Sequence, residues 1–273
     1  MDSRVIDYNE YVEIADGVYW VGFADEHAGF HCNPYLIVDE DDAVLIDGGS
    51  RNDFSTVMLK IMRTGTNPHK ISKLIYQHYD PDLCGNIPHM EAAIDNQDLK
   101  IISHRENNVF IEYYSPRCPK ICIEELGFVY EFSSGRQLKF FPTPYSHSAG
   151  SFVTLDTKTK TLFSSDIFGS YDVNWSLFSE IDGKCADCVP DNPCTITKKP
   201  CQVLGVWDFH RRIMPSTKAL QYAISLIEDL NISMIAPQHG SIFNSHESME
   251  VVIKRLKNLE SVGIEHFLEE RSK

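Results

Sequence analysis

The chain has 273 residues, 42% of them hydrophobic and 23% charged, with a formal net charge of −14. That is the composition of a soluble globular protein, long enough for one large domain or two small ones, and its acidity argues against nucleic acid or an anionic membrane as partner, since both require a basic face. No run approaches the ~18 apolar residues of a membrane span, and the N-terminal MDSRVIDYNEYVEIAD is too polar for a signal peptide. The expectation is therefore a cytoplasmic protein whose eight cysteines are reduced thiols or metal ligands rather than disulfides.

In chain order, β-rich runs at Val18–Phe23, Pro34–Val38 and Ala43–Ile46 are separated by Asp/Glu/Gly punctuation. The loop ADEHAGFHCN between the first two carries Glu26, His27, His31 and Cys32, and Asp47-Gly48-Gly49 ends the third run. Phe54–Met62 reads as an amphipathic helix whose stripe of Phe54, Val57, Met58 and Ile61 belongs in a core. A short strand, Lys73–Tyr76, then runs into QHYDPDLCGNIP, where His78, Asp80 and Asp82 alternate and Gly85 and Pro88 mark a turn. Three ligand-type residues at alternating positions on a tight loop can converge on one point.

Ile87–Asp95 follows as a helix and Lys100–Ser103 as a strand, an alternation that implies α/β layers. Residues 104–126 are less regular, and the Cys118-x3-Cys122 pair in them reads as ordinary packing. Residues 127–164 are strand-rich, Ser170–Cys201 is a long irregular insertion, and Ser216–Leu230 and Glu247–Val262 read as helices, with Ser216 capping the first. Three further segments repeat the form of an apolar strand ending in a ligand-type residue: Phe140–Ser151 with His147, Thr161–Asp166, and Ser233–Gly240 with His239.

Taken together, three histidines and three carboxylates at strand ends resemble the metallo-β-lactamase superfamily, which implies a four-layered αββα sandwich, here a single domain with a Cys-rich insertion at about 183–201. HYDPDLCGNIP resembles the HxExDHxG loop of flavodiiron proteins, whose β-lactamase-like domain binds two irons. The likeness extends from VYWVG near residue 20 to IAPQHGSIF near residue 240. By that resemblance His78, Asp80, His147 and a bridging Asp166 hold the first metal. Asp82, Asp166 and His239 hold the second, with an oxo or hydroxo group completing the bridge, and Asp47 matches a buried aspartate kept beneath the metal loop. Two departures stand out. The family's glutamate is shortened to Asp80, and the histidine that follows its second acid is Leu83 here, which leaves Glu26, His27 or Cys84 as candidate substitutes.

Carboxylates are harder donors than imidazole and favour iron, and two ferrous ions can take dioxygen to the peroxo level by one electron each. The resemblance thus implies a di-iron protein that binds dioxygen, as a sensor or as an oxygen or peroxide reductase. The flavodoxin domain that carries FMN in that family has no counterpart after His239, so FMN in cis is not expected. Turnover would then need a separate electron donor, and sensing a signalling partner. The family's head-to-tail homodimer serves to bring FMN to the irons, so the oligomeric state stays open. The alternative within the same fold is a zinc hydrolase of esters, thioesters or lactones. Tyr79, Tyr145, Trp175, Phe178 and Trp207 are candidates for shaping the pocket. Cys185-x2-Cys188-x5-Cys194-x6-Cys201 has the ligand count for a further metal, against a loop of reduced thiols. His69, His89, His104, His210, His246 and His266 lack ligand context and read as surface or satisfied side chains.

Overall fold

The computed structural model describes residues 6–24, 31–171 and 175–272. The chain divides into two compact units, the first ending at Gln137 and the second beginning at Leu138.

The first unit is built on a seven-stranded sheet: β1 (Val12–Ala15), β2 (Val18–Trp20), β3 (Tyr35–Asp39), β4 (Asp42–Ile46), β5 (Ile71–Ile75), β6 (Lys100–Ser103) and β7 (Lys120–Cys122), lying side by side in that order. Consecutive strands pair antiparallel as far as β4 and parallel from β4 to β7. Parallel neighbours require a crossover, and the helices α1 (Phe54–Arg63), α2 (Pro81–Cys84), α3 (Ile87–Ile94) and α4 (Arg105–Ile111) lie in those connections. Val57 and Ile61 of α1 and Ile87, Met90 and Ile94 of α3 form one core with Leu36, Leu45, Leu74 and Ile101 of the strands. The expected stripe on α1 is therefore a core stripe, although its neighbour Lys60 is buried too. Its amino group donates to the carbonyls of Tyr8 and Gly22 and sits 4.1 Å over the Trp20 ring, and burial pushes its pKa down to about 8. β8 (Val129–Glu131) follows in the chain.

The second unit has strands β9 (Gln137–Pro142), β10 (Phe152–Asp156) and β11 (Thr161–Phe163), paired antiparallel, with β12 (Met234–Ala236) parallel to β11. Helices α5 (Gln202–Ile213), α6 (Thr217–Glu228) and α7 (His246–Lys257) bury Val203, Val206, Leu220, Ile224, Val252 and Leu256 against Val153, Leu162 and Ile235 of the sheet. Ser216 caps α6 by accepting from Ala219 N at 3.2 Å. Each unit thus pairs one sheet with a layer of helices.

The helix expected over Glu247–Val262 ends instead at Lys257, and Ser261 and Gly263 turn the chain with positive φ into a further helix, α8 (Ile264–Arg271). Pro88 opens α3 rather than a turn, as suits a residue with no N–H to contribute to a first helical turn. Helices α4 and α5 and strand β1 lie where no regular element was expected. Among the described residues, no helix is long and apolar enough to cross a membrane.

Candidate metal centre

In the first unit, the donor loop leaves β5 under tight restraint. Asp47, buried at the end of β4, accepts from Gln77 N at 3.1 Å and from Gln77 Nε2 at 3.3 Å. Ser103 Oγ donates to Tyr76 O at 2.6 Å, and Asn107 Nδ2, on the unexpected helix α4, reaches Gln77 O at 3.4 Å and Ser103 Oγ at 3.1 Å. Gly48 is required here, since a Cβ would come within 2.6 Å of Asn86 Oδ1 and 2.9 Å of Tyr76 Oη. His78 is buried directly after this clamp. Asp80 is the extended residue before α2, and its side chain makes no cap bond to that helix. Asp82 lies in the first turn of α2, with Cys32 Sγ 3.9 Å from its Oδ2.

The same helical turn points Leu83 and Cys84 inward. Leu83 is fully buried in the apolar core of the unit. Cys84 donates to the carbonyl of His78 at 3.7 Å, and burial, with Asp47, Asp82 and Asp80 nearby, pushes its thiol well above the usual range. Restoring a histidine by Leu83→His is therefore expected to cost about 2–4 kcal/mol, because it buries an imidazole among apolar side chains. Equal urea midpoints for variant and parent, with an added metal ligand, would overturn this. Tyr79 stacks on Phe110 at 4.2 Å, and Glu26 and His27 lie outside the described residues.

In the second unit, the parallel register aligns two donors. Phe163 of β11 pairs with Ala236 of β12, and Asp166 and His239 each follow three residues later. Ser164 N donates to Ala236 O at 3.2 Å and Gln238 N to Ser165 O at 2.8 Å, so the two strand ends remain joined as far as the donors. Gly240 then has φ +79°, and a Cβ there would meet Ser170 Cβ at 2.8 Å. His147 arrives on a closed turn, in which Tyr145 N donates to Ser148 O at 2.8 Å and Ser148 N to Ser151 Oγ at 3.0 Å. The result is one carboxylate between two imidazoles: His147 Nε2 is 3.0 Å from Asp166 Oδ2, and His239 Nε2 is 3.5 Å from Asp166 Oδ1.

Helix α5 backs this arrangement. The Phe209 ring lies 5.7 Å from the His239 ring, and its edge occupies the space a side chain at Gly169 would need, 2.6 Å from such a Cβ. His210 is fully buried; its Nε2 accepts from Phe168 N at 3.1 Å, and its Nδ1 lies 2.7 Å from Val206 O. Burial pushes its pKa down to about 4, so the ring is neutral and satisfied, as a histidine without ligand context should be. Of the aromatic candidates in this unit, Tyr145 is 58% exposed, Phe178 forms a backbone bridge to Ile242, and Trp207 sits beneath Arg211 and Arg255. Cys32 and Phe209 are the side chains at the donors to which sequence reasoning gave no role. The local signal for Cys32 was its place in the His/Cys loop, and for Phe209 an aromatic next to a histidine.

A structure described as the peroxy diiron species of chemotaxis sensor ODP superposes with a TM-score of 0.73 at 26% identity, covering 95% of this chain and 97% of that one. The apo state of chemotaxis sensor ODP from T. denticola gives 0.68 at 26% identity, covering 93% and 100%. Type A flavoprotein fprA of Rhodobacter capsulatus is 24% identical over 86% of this chain and 53% of its own length, and the chain spans about half the length of such curated relatives. The expected metallo-β-lactamase fold, mixed α/β with two sheets, is the fold of these neighbours. Residues 30–240 match the model of the ODP family beta lactamase, and the chain belongs to that family.

Proposed function

We propose that this chain is a non-haem di-iron protein that binds dioxygen and reports it, with any reductase activity depending on a separate donor. The observation that carries the reading is Asp166, whose two oxygens each face a different imidazole nitrogen, the arrangement a carboxylate needs to bridge two metal ions. The donor chemistry fits iron: the first unit supplies one imidazole and two carboxylates, the second two imidazoles and one carboxylate. His78, Asp80, His147 and Asp166 would hold one iron, and Asp82, Asp166 and His239 the other. Cys32, against Asp82, would add sulphur to the second set. When bound, the two ferrous ions would supply the electrons that a dioxygen ligand requires.

The chain's own part is orientation. The Gln77–Asp47 clamp fixes the loop ahead of His78, and the joined ends of β11 and β12 fix Asp166 beside His239. The Phe209 ring limits the tilt of the His239 imidazole. Held side chains of this kind cost little reorganisation when a ligand arrives. The sensor reading draws on the family match and on the likeness to the chemotaxis sensor.

The test is anaerobic purification with added iron, metal analysis, and optical spectra on admitting air. About two irons per chain and a visible band that persists would support oxygen binding for sensing, and a band that decays with peroxide or water formed would support turnover. Zinc with no colour change would overturn the reading and put hydrolysis first. Cys32→Ser is expected to keep the iron but remove sulphur-to-iron charge-transfer absorption from the oxidised protein. Superimposable spectra would take Cys32 out of the ligand set.

A further inference from the structure

Lys60 occupies a position on α1 that packing alone would give to an apolar residue. Its helix neighbours Val57 and Ile61 are fully buried, and Lys60 itself is 1% exposed. An ammonium at such a place is costly unless its protons are taken up. Here they are: Nζ donates to the carbonyl of Tyr8 at 2.8 Å and to that of Gly22, and it sits 4.1 Å from the centre of the Trp20 ring. The charge therefore joins α1 to two separate stretches of chain, the one ahead of β1 and the one that leaves β2.

The second stretch is one side of the connection between β2 and β3, and Cys32 is on the other side. Three contacts zip the two sides together. Val21 N donates to Pro34 O at 3.0 Å. Trp20 Nε1 donates to Asn33 Oδ1 at 2.9 Å, and both of these side chains are fully buried. Gly22 lies so close to Cys32 that a Cβ at 22 would come within 2.6 Å of the Cys32 carbonyl oxygen and 2.8 Å of Trp20 Nε1. The backbone of Cys32 thus rests on the residue whose carbonyl Lys60 holds. From this base the Cys32 thiol, 6% exposed, donates to Asp82 Oδ2 at 3.9 Å. Asp82 stands on α2, so the approach of sulphur to carboxylate is set by how the β2–β3 connection is seated.

We propose that Lys60 is a positioning residue for Cys32. Acting through the Gly22 carbonyl and the Trp20 ring, it seats the base of the connection at the depth that puts the thiol against Asp82. A sulphur held in this way is presented to a metal beside the carboxylate with little reorganisation. The functional meaning rests on the reading of Cys32 as a donor to the second iron. The clamp itself is made by protein groups alone, so it can be tested apart from that reading.

The experiment is peptide-resolved labelling of the full chain by a thiol reagent after chelation, for the parent, Lys60→Met and Gly22→Ala. Cys84 and Cys118, both buried, serve as references in the same unit. Lys60→Met keeps the length of the side chain and removes its donors. Gly22→Ala leaves the ammonium in place and forces the Cys32 carbonyl away, which keeps the test decisive if Lys60→Met does not fold. Each variant is expected to label Cys32 at least about tenfold faster than the parent, the factor that one lost charge-assisted hydrogen bond corresponds to, while Cys84 and Cys118 stay slow. A purely structural role for Lys60 would loosen the whole unit and raise all three cysteines together. That result, or an unchanged rate at Cys32, overturns the proposal. With iron loaded, both variants should hold the parent's iron and show the sulphur-to-iron absorption weakened or shifted, and parent-like absorption in both would also overturn it. If the parent itself lacks that absorption, it is the donor reading of Cys32 that fails, and the labelling rates still decide whether Lys60 places the thiol.

Discussion

Asp166→Asn is expected to leave the anaerobically loaded chain with well under one iron in place of about two, through an affinity loss of at least ~100-fold. The substitution preserves shape and removes the charge and one of two equivalent oxygens. Its effect is greater than that of any other single donor because Asp166 faces both imidazoles, His147 at 3.0 Å and His239 at 3.5 Å, whereas every other candidate would serve one ion. Asp82→Asn is the matched control and should lower the count by only about one iron, since Asp82 is assigned to one ion of the bridged pair. If Asp166→Asn and Asp82→Asn lose the same single iron, Asp166 does not bridge.

His210→Ala is expected to destabilise the chain by about 3–5 kcal/mol, with no direct loss of a metal donor. The ring is fully buried, so truncation leaves a cavity and takes from Phe168 N–H the acceptor it now has at 3.1 Å. For a chain of this size, that corresponds to a fall in Tm on the order of 6–15 °C. The same residue sets a pH dependence. A folded pKa of about 4 against the ordinary histidine value of 6.5 means that the unfolded chain binds the extra proton first. The contribution is present in full above pH 6.5, shrinks as pH falls toward 4, and totals about 3 kcal/mol. His210→Gln keeps an acceptor without the titration. In chelator-treated protein, the parent's urea midpoint should therefore fall faster than the Gln variant's between pH 6.5 and 4.5. Parallel acid limbs would assign the loss to other groups.

Much of this architecture was legible because the donors sit at strand ends. Strand runs before His78, Asp166 and His239 are short and apolar, and each terminates in a residue with no reason to follow a buried strand except chemistry. The helical stripe of Phe54, Val57, Met58 and Ile61 was legible for the same reason of period. The fate of Leu83 was not, because the loop reading gave alternate residues a common direction, whereas one helical turn over Pro81–Cys84 sends Leu83 and Cys84 inward behind Asp82. Helix α5 escaped notice because Gly205 interrupts it and its sequence, QVLGVWDFHRRI, mixes aromatic and basic residues with no simple stripe. The unit core supplies what its local propensity lacks. Asn107 was equally hidden: its value lies in reaching Gln77 and Ser103, partners set by tertiary structure rather than by spacing along the chain.

The nearness of Phe209 to Gly169 has an evolutionary consequence. The two positions share one volume, so neither is free to drift alone. A β-carbon at 169 would be 2.6 Å from the ring edge, and it becomes admissible only after the ring at 209 has shrunk or turned aside. Related sequences should therefore show correlated replacement: glycine with an aromatic, or a larger residue with a small aliphatic. A lineage that takes the second path gives up the ring that limits the tilt of the imidazole at 239. Changes at an unremarkable glycine, 40 residues before the aromatic neighbour of the histidine, would then mark which members of the family have loosened that imidazole.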